Sequence, residues 1–224
     1  MIRQKPFSTD LTDNKSRNYI ILTLLWYLVD IIFFIFLGLV ESSIINIITG
    51  LFLICWLIFT ILLFNHFTLK NSNIVFYALG VAVLGIIEET PIYYNGGGLN
   101  GTATSLVQDL FLTIPVFVLL GISIYLLKDK FALTSSDFFI YGSIYGVILE
   151  LFIGGKLVYF YLFGGPALVI YGSMLATFAP KELINKKQNV NSYLKFIIII
   201  IVMFIFMIAG AIIGDTSYRF IGKP

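Results

Sequence analysis

Five carboxylates fall within or beside the apolar runs of this chain: Asp30, Glu88, Glu89, Asp109 and Glu150. Asp30 lies near the middle of TLLWYLVDIIFFIFLGLV, with apolar neighbours on both sides. An ionised side chain at the centre of a bilayer costs about 2.5–3.5 kcal/mol on insertion scales. A carboxyl in that place needs a partner or a task. Carrying a proton or cation on the bundle interior is the task its chemistry fits. A hydrogen-bonded Asp that glues helices together is the structural alternative.

Glu88 and Glu89 are adjacent and are followed by Thr90 and Pro91. Neighbours on a helix point about 100° apart. One of the pair is therefore expected to face the bundle while the other faces headgroups or another helix. Pro91 has no backbone N–H and is expected to kink or end the helix there. A broken helix beside carboxylates is one way to build an ion or substrate site in a membrane; two solvated charges at a helix end are the plainer reading. Asp109 stands one turn into a later run, beside Gln108, and Glu150 lies near the end of another, a short distance before Lys156. Asp109 and Glu150 are expected to join Glu88 or Glu89 in one outward-facing acidic mouth, unless Lys156 takes Glu150 as a structural ion pair. Oxygen ligands of this kind suit protons or hard cations, not soft metals. Glu88, Glu89 and Glu150 are also the candidate general acid and base for intramembrane chemistry.

Several chemistries lack their residues. Cys55 is the only cysteine and His66 the only histidine. Haem, zinc and copper sites need clusters of such ligands, so no metal centre and no cofactor is expected. There is no Walker loop and no histidine-bearing protease motif. The net charge of +2 and the absence of a basic, aromatic-rich patch give nucleic acid nothing to hold.

The elements that must position these carboxyls follow from composition. Apolar residues make up 59% of the chain and charged residues 12%. An ordinary soluble domain is about half apolar and a quarter charged, so the lipid bilayer is the expected solvent and partner. A span needs about 20 apolar residues. Seven runs qualify: Tyr19–Val40, Ser43–Phe64, Ile74–Tyr94, Ser105–Leu127, Asp137–Gly154, Leu157–Pro180 and Leu194–Gly214. The fifth is the shortest. Backbone groups in lipid must bond within their own segment, so the expectation is an all-α, polytopic transmembrane bundle of about seven spans. Residues 1–18 form a polar tail, 19–214 one transmembrane domain and 215–224 a short second tail.

Lys and Arg alternate between connections. Arg3, Lys5, Lys15 and Arg17 precede the first run, and Lys70, Lys128, Lys130, Lys181, Lys186 and Lys187 mark every second connection thereafter. The connections between them carry Glu41, no charge over Asn95–Thr104, and Lys156. The positive-inside rule then puts the N-terminus in the cytoplasm of a cell-membrane protein. Arg219 and Lys223 in the outer tail dissent from it.

Glycines suggest a repeat. Gly80 precedes Glu88 by the same interval as Gly142 precedes Glu150, and Pro115–Gly121 has the same spacing as Pro166–Gly172. Spans three and four would then match spans five and six as parallel hairpins. Gly142 with Gly146, and Gly210 with Gly214, form small-xxx-small faces for packing within one chain or between copies of a homo-oligomer or membrane complex. Gly164-Gly165-Pro166 loosens the sixth span. The Asn95–Thr104 stretch, NGGGLNGTAT, reads as an exposed flexible loop or a lid. Three functions remain: a small transporter or channel for a proton, cation or small solute, an intramembrane enzyme on a lipid or isoprenoid, and a structural subunit.

Overall fold

A computed structural model of the protein describes residues 14–66, 73–94, 103–153, 160–179 and 192–222. They form seven α-helices: α1 (Asn14–Val40), α2 (Ile44–His66), α3 (Ile74–Tyr94), α4 (Leu106–Phe131), α5 (Ser135–Val147), α6 (Phe160–Thr177) and α7 (Ser192–Ser217). A π-turn over Ile148–Ile153 extends α5, and another over Tyr218–Gly222 extends α7. Among the described residues there is no strand. Among the described residues, four helices are long and apolar enough to cross a membrane, by length and composition: Asn18–Val40, Ile74–Tyr94, Leu106–Phe131 and Tyr193–Ile221. A protein of apolar helices of this kind belongs with membrane proteins.

Each helix sorts its residues by the helical period. On α1 the buried positions are Thr23, Tyr27, Asp30, Ile31, Phe34 and Gly38, recurring every three to four residues, while Leu22, Leu25, Val29, Ile32 and Phe36 are exposed. On α7, Ile199, Met203, Met207, Gly210 and Gly214 are buried, and Ile197, Ile201, Phe204, Ile205, Ile208 and Ile212 are exposed. An outward face of bare Leu, Ile and Phe is unfavourable in water and ordinary in lipid.

Helix ends follow local chemistry. Ser105 caps α4, its Oγ accepting the Gln108 N–H at 3.1 Å. The Gln108 side chain reaches back, and its Oε1 accepts the Thr104 N–H at 2.8 Å. The arrangement is like a capping box, except that the back-bond goes to the N–H of Thr104 and not to that of the N-cap Ser105. At the other end Ala132 turns into the left-handed region at φ 45, and the Leu133 N–H donates to the Lys128 carbonyl at 2.9 Å. Pro91 does not end α3, which runs on to Tyr94. Pro115 and Pro166 also lie inside their helices.

The helices form two compact units, α1, α2, α5 and α6 in the first and α3, α4 and α7 in the second. In the first unit α5 and α6 meet through glycine. A Cβ on Gly142 would stand 2.6 Å from the Tyr171 carbonyl oxygen, and one on Gly146 would stand 2.5 Å from that of Ala167. Ser143 Oγ donates to the Leu168 carbonyl at 2.6 Å across the same seam. The Tyr27 hydroxyl ties α1 to α2 by donating to the Leu53 carbonyl at 2.9 Å. Trp56 Nε1 ties α2 to α6 by donating to Ser173 Oγ at 2.9 Å.

In the second unit α7 lies on α4 through Gly210 and Gly214. A Cβ on Gly210 would stand 2.7 Å from Val116 Cα, and one on Gly214 would stand 2.5 Å from the Phe111 carbonyl oxygen. All four of these packing glycines thus meet backbone of their own chain. The glycines of α3 are filled differently. Gly80 meets the ring of Phe178, and Gly85 meets the side chains of Phe117 and Ile114. The two hairpins that rhyme in sequence therefore use their glycines in different ways: α5 brings backbone against backbone, α3 accepts aromatic rings.

Candidate functional site

Asp30 occupies the buried stripe of α1, one turn beyond Tyr27, and is 2% exposed. The residue opposite is Gly165 of α6. The Gly165 backbone N–H donates to the Asp30 carboxyl, and a Cβ on Gly165 would overlap Asp30 Oδ2. Only a residue without a side chain lets a carboxyl lie this close to a helix backbone. The same hypothetical atom would also stand 2.9 Å from the Tyr27 backbone nitrogen, so α1 and α6 are nearly in backbone contact here. Gly164, one residue earlier, is covered by the ring of Trp26. Pro166, one residue later, supplies no N–H to the Leu162 carbonyl. Asp30 Oδ2 has no hydrogen-bond partner among the described residues. A fully enclosed carboxyl oxygen in an apolar environment is costly unless it is paired or neutral.

Glu150, the other carboxyl of the first unit, sits in the π-turn at the end of α5. Single π-turns are rare and recur at functional sites. Its Oε1 accepts the Tyr171 hydroxyl at 2.7 Å, and the Tyr171 ring lies against Gly146. Lys156, the partner the sequence offered, lies outside the described residues, as do residues 95–102 of the glycine-rich connection.

Glu88, Glu89 and Asp109 belong to the second unit. The register of its hairpin is fixed by Tyr77 beside Tyr125, with ring centroids 5.1 Å apart, and by Gly85 beside Ile114 and Phe117. The helices are therefore antiparallel. Continuing the register puts Glu88 and Glu89 level with the first turns of α4, where Asp109 lies. Glu88 is 1% exposed, Glu89 6% and Asp109 0%. Neither glutamate faces headgroups, because the buried face of α3 is two residues wide: Gly80 with Val81, Leu84 with Gly85, then Glu88 with Glu89. No group of three or more His, Cys, Asp or Glu is placed to hold a metal ion among the described residues.

Sequence reasoning singled out all five carboxyls but none of the residues that meet them. Tyr27 and Tyr171 carry no motif. The one usable signal was Gly164-Gly165-Pro166, where a helix has no side chain on two successive residues and no N–H on the third. Comparison of this chain with protein-family models, with curated proteins and with solved structures gave no match.

Proposed function

We propose that this is an integral protein of the cell membrane that moves a proton, a cation or a small solute, with Asp30 as its working carboxyl. The observation that carries this reading is the enclosure of Asp30 on the inward face of a long apolar helix, against bare glycine backbone. Intramembrane acidic residues are rare and mark ion pathways and proton relays. Glycine and proline inside the helix beside such a residue leave it fewer side-chain contacts and one backbone hydrogen bond fewer, which suits a carrier that must change arrangement. The proposal includes seven crossings with the N-terminus in the cytoplasm, supported by the alternation of Lys and Arg between connections.

The test is flux in proteoliposomes under imposed ion gradients and membrane potential. Asp30→Asn keeps shape and hydrogen bonding and removes ionisation. Wild type is expected to conduct or exchange, and Asp30→Asn to lose that activity while folding normally. A fully active Asp30→Asn protein would refute the role of Asp30.

One observation favours a second reading. Glu88, Glu89 and Asp109 are three buried carboxyls at one end of a single hairpin, a set that general acid–base work on an apolar lipid or isoprenoid could use. Lipid profiles of membranes containing wild type or Glu88→Gln separate the readings. A product that vanishes in Glu88→Gln favours the enzyme, and unchanged lipids with intact flux favour the transporter.

A further inference from the structure

We propose that the ligand of Asp30 is a single proton and not a metal cation. This rests on reading Asp30 as a working site, and it narrows what the site accepts.

The geometry around the carboxyl argues against a cation. A hard cation stripped of water needs several oxygen ligands; Ca²⁺ takes about 6–8 at 2.3–2.6 Å. On the α6 side the described neighbours of the Asp30 carboxyl are the Gly165 N–H and the bare backbone of Gly165, where a Cβ would overlap Oδ2. An N–H dipole pointing at the carboxyl repels a cation. The space on the Gly165 side is smaller than a methyl group. A proton needs neither a shell nor room. It forms one O–H bond on a carboxyl oxygen and turns an acceptor-only group into a donor. It comes from water at the membrane surface and returns there, and no other bond changes. The turn of α6 beside the carboxyl offers acceptor capacity, since Pro166 leaves the Leu162 carbonyl without its helix N–H.

Among the described residues, the helices packed against α1 bring no strongly basic side chain. The elements packed on α1 are α2, α5 and α6. Their described titratable side chains are Cys55 on α2, which is exposed, Asp137, Tyr141 and Tyr145 on α5, and Tyr171 on α6, whose hydroxyl is given to Glu150. None of the three helices contains a Lys or Arg. With no Lys or Arg on the described helices packed against α1, protonation is the route by which this buried carboxyl loses its charge.

The test is an infrared pH titration of the full-length protein in lipid bilayers, reading the C=O stretch of protonated carboxyl groups. Subtracting the same titration of Asp30→Asn isolates Asp30. The expected result is a protonated-carboxyl band that titrates in wild type, is missing in the variant, and keeps its midpoint when Na⁺, K⁺ or Ca²⁺ is added. A midpoint displaced by one of these cations overturns the proposal, and so does a difference with no band at any pH. Gly165→Ala is a second probe: its methyl displaces Oδ2, so the midpoint should move, and an unmoved midpoint counts against the site. The cation series on wild type alone needs no variant, because a competing cation would remove band intensity. Flux measured in parallel separates the two levels of the argument. A titrating, cation-insensitive band without flux keeps the proton assignment and ends the transport reading. Flux driven by Na⁺ with a displaced band does the reverse.

Discussion

The Tyr171 hydroxyl donates to Glu150 Oε1 at 2.7 Å and so fastens α6 to the π-turn that extends α5. The tyrosine is 3% exposed, and its ring lies on Gly146. A neutral hydroxyl thus engages the carboxylate for which the sequence offered a lysine.

Tyr171→Phe keeps the ring and removes this bond. Hydrogen bonds to charged groups contribute about 1.5–3 kcal/mol, neutral ones about 0.5–1.5 kcal/mol. Because Glu150 is only half-buried, the expected loss is about 1 kcal/mol, read as a lower Tm in detergent. Glu150→Gln keeps an acceptor oxygen and should lose less.

Gly210→Ala and Gly80→Ala should differ. The added methyl on Gly210 meets Val116 Cα and the Pro115 carbonyl, which are backbone, so α7 must move off α4. On Gly80 it meets the Phe178 ring, which can rotate. Overpacking of a tight contact costs about 1–3 kcal/mol. Gly210→Ala is expected near the upper end and Gly80→Ala near or below the lower, measured by thermal unfolding of the two variants side by side.

Trp56 and Ser173 should be energetically coupled. Ser173→Ala leaves the buried indole N–H without its acceptor, at a cost of about 1–3 kcal/mol. Trp56→Phe removes the donor as well, so the double variant should lose less than the sum of the singles. Simple additivity in that double-mutant cycle would show that the bond contributes nothing.

Topology has its own test. Thr104 and Lys130 are exposed positions flanking α4 at its two ends. In a Cys55→Ser background, Thr104→Cys should react with an impermeant thiol reagent from outside intact cells, and Lys130→Cys only after the membrane is opened. Labelling of both from one side would remove α4 as a crossing helix.

The helices were legible because lipid demands long apolar runs, and the sequence limits of α3, Ile74–Tyr94, coincide with the structure. Ends were less legible. The apolar run ends at Leu127 before the charged Lys128 and Lys130, yet α4 continues to Phe131 because that ring is buried and Ala132 makes the turn. Pro91 looked like a stop, but a proline near a helix end costs only the bond of one carbonyl, and α3 absorbs it. The position of Asp30 was visible as an anomaly of burial, and its stripe with Tyr27 and Phe34 is readable from spacing alone. That Gly165 receives it was not readable, since nothing local to either residue encodes a pairing across two helices. For Glu88 and Glu89 the sequence left open whether the second carboxyl meets headgroups or another helix, because adjacency on a helix fixes the angle between two side chains and not the width of the buried face.

The chain has two tryptophans, and the Trp26 ring rests on Gly164, next to the glycine that meets Asp30. The other, Trp56, is pinned to Ser173 on a different face of the same helix. Nature has in effect placed an intrinsic fluorophore beside the carboxyl and given it a wall of bare backbone to sense. With Trp56→Phe, emission from this protein becomes a single-site optical signal from the α1–α6 seam, so events at Asp30 are readable in real time without any attached dye.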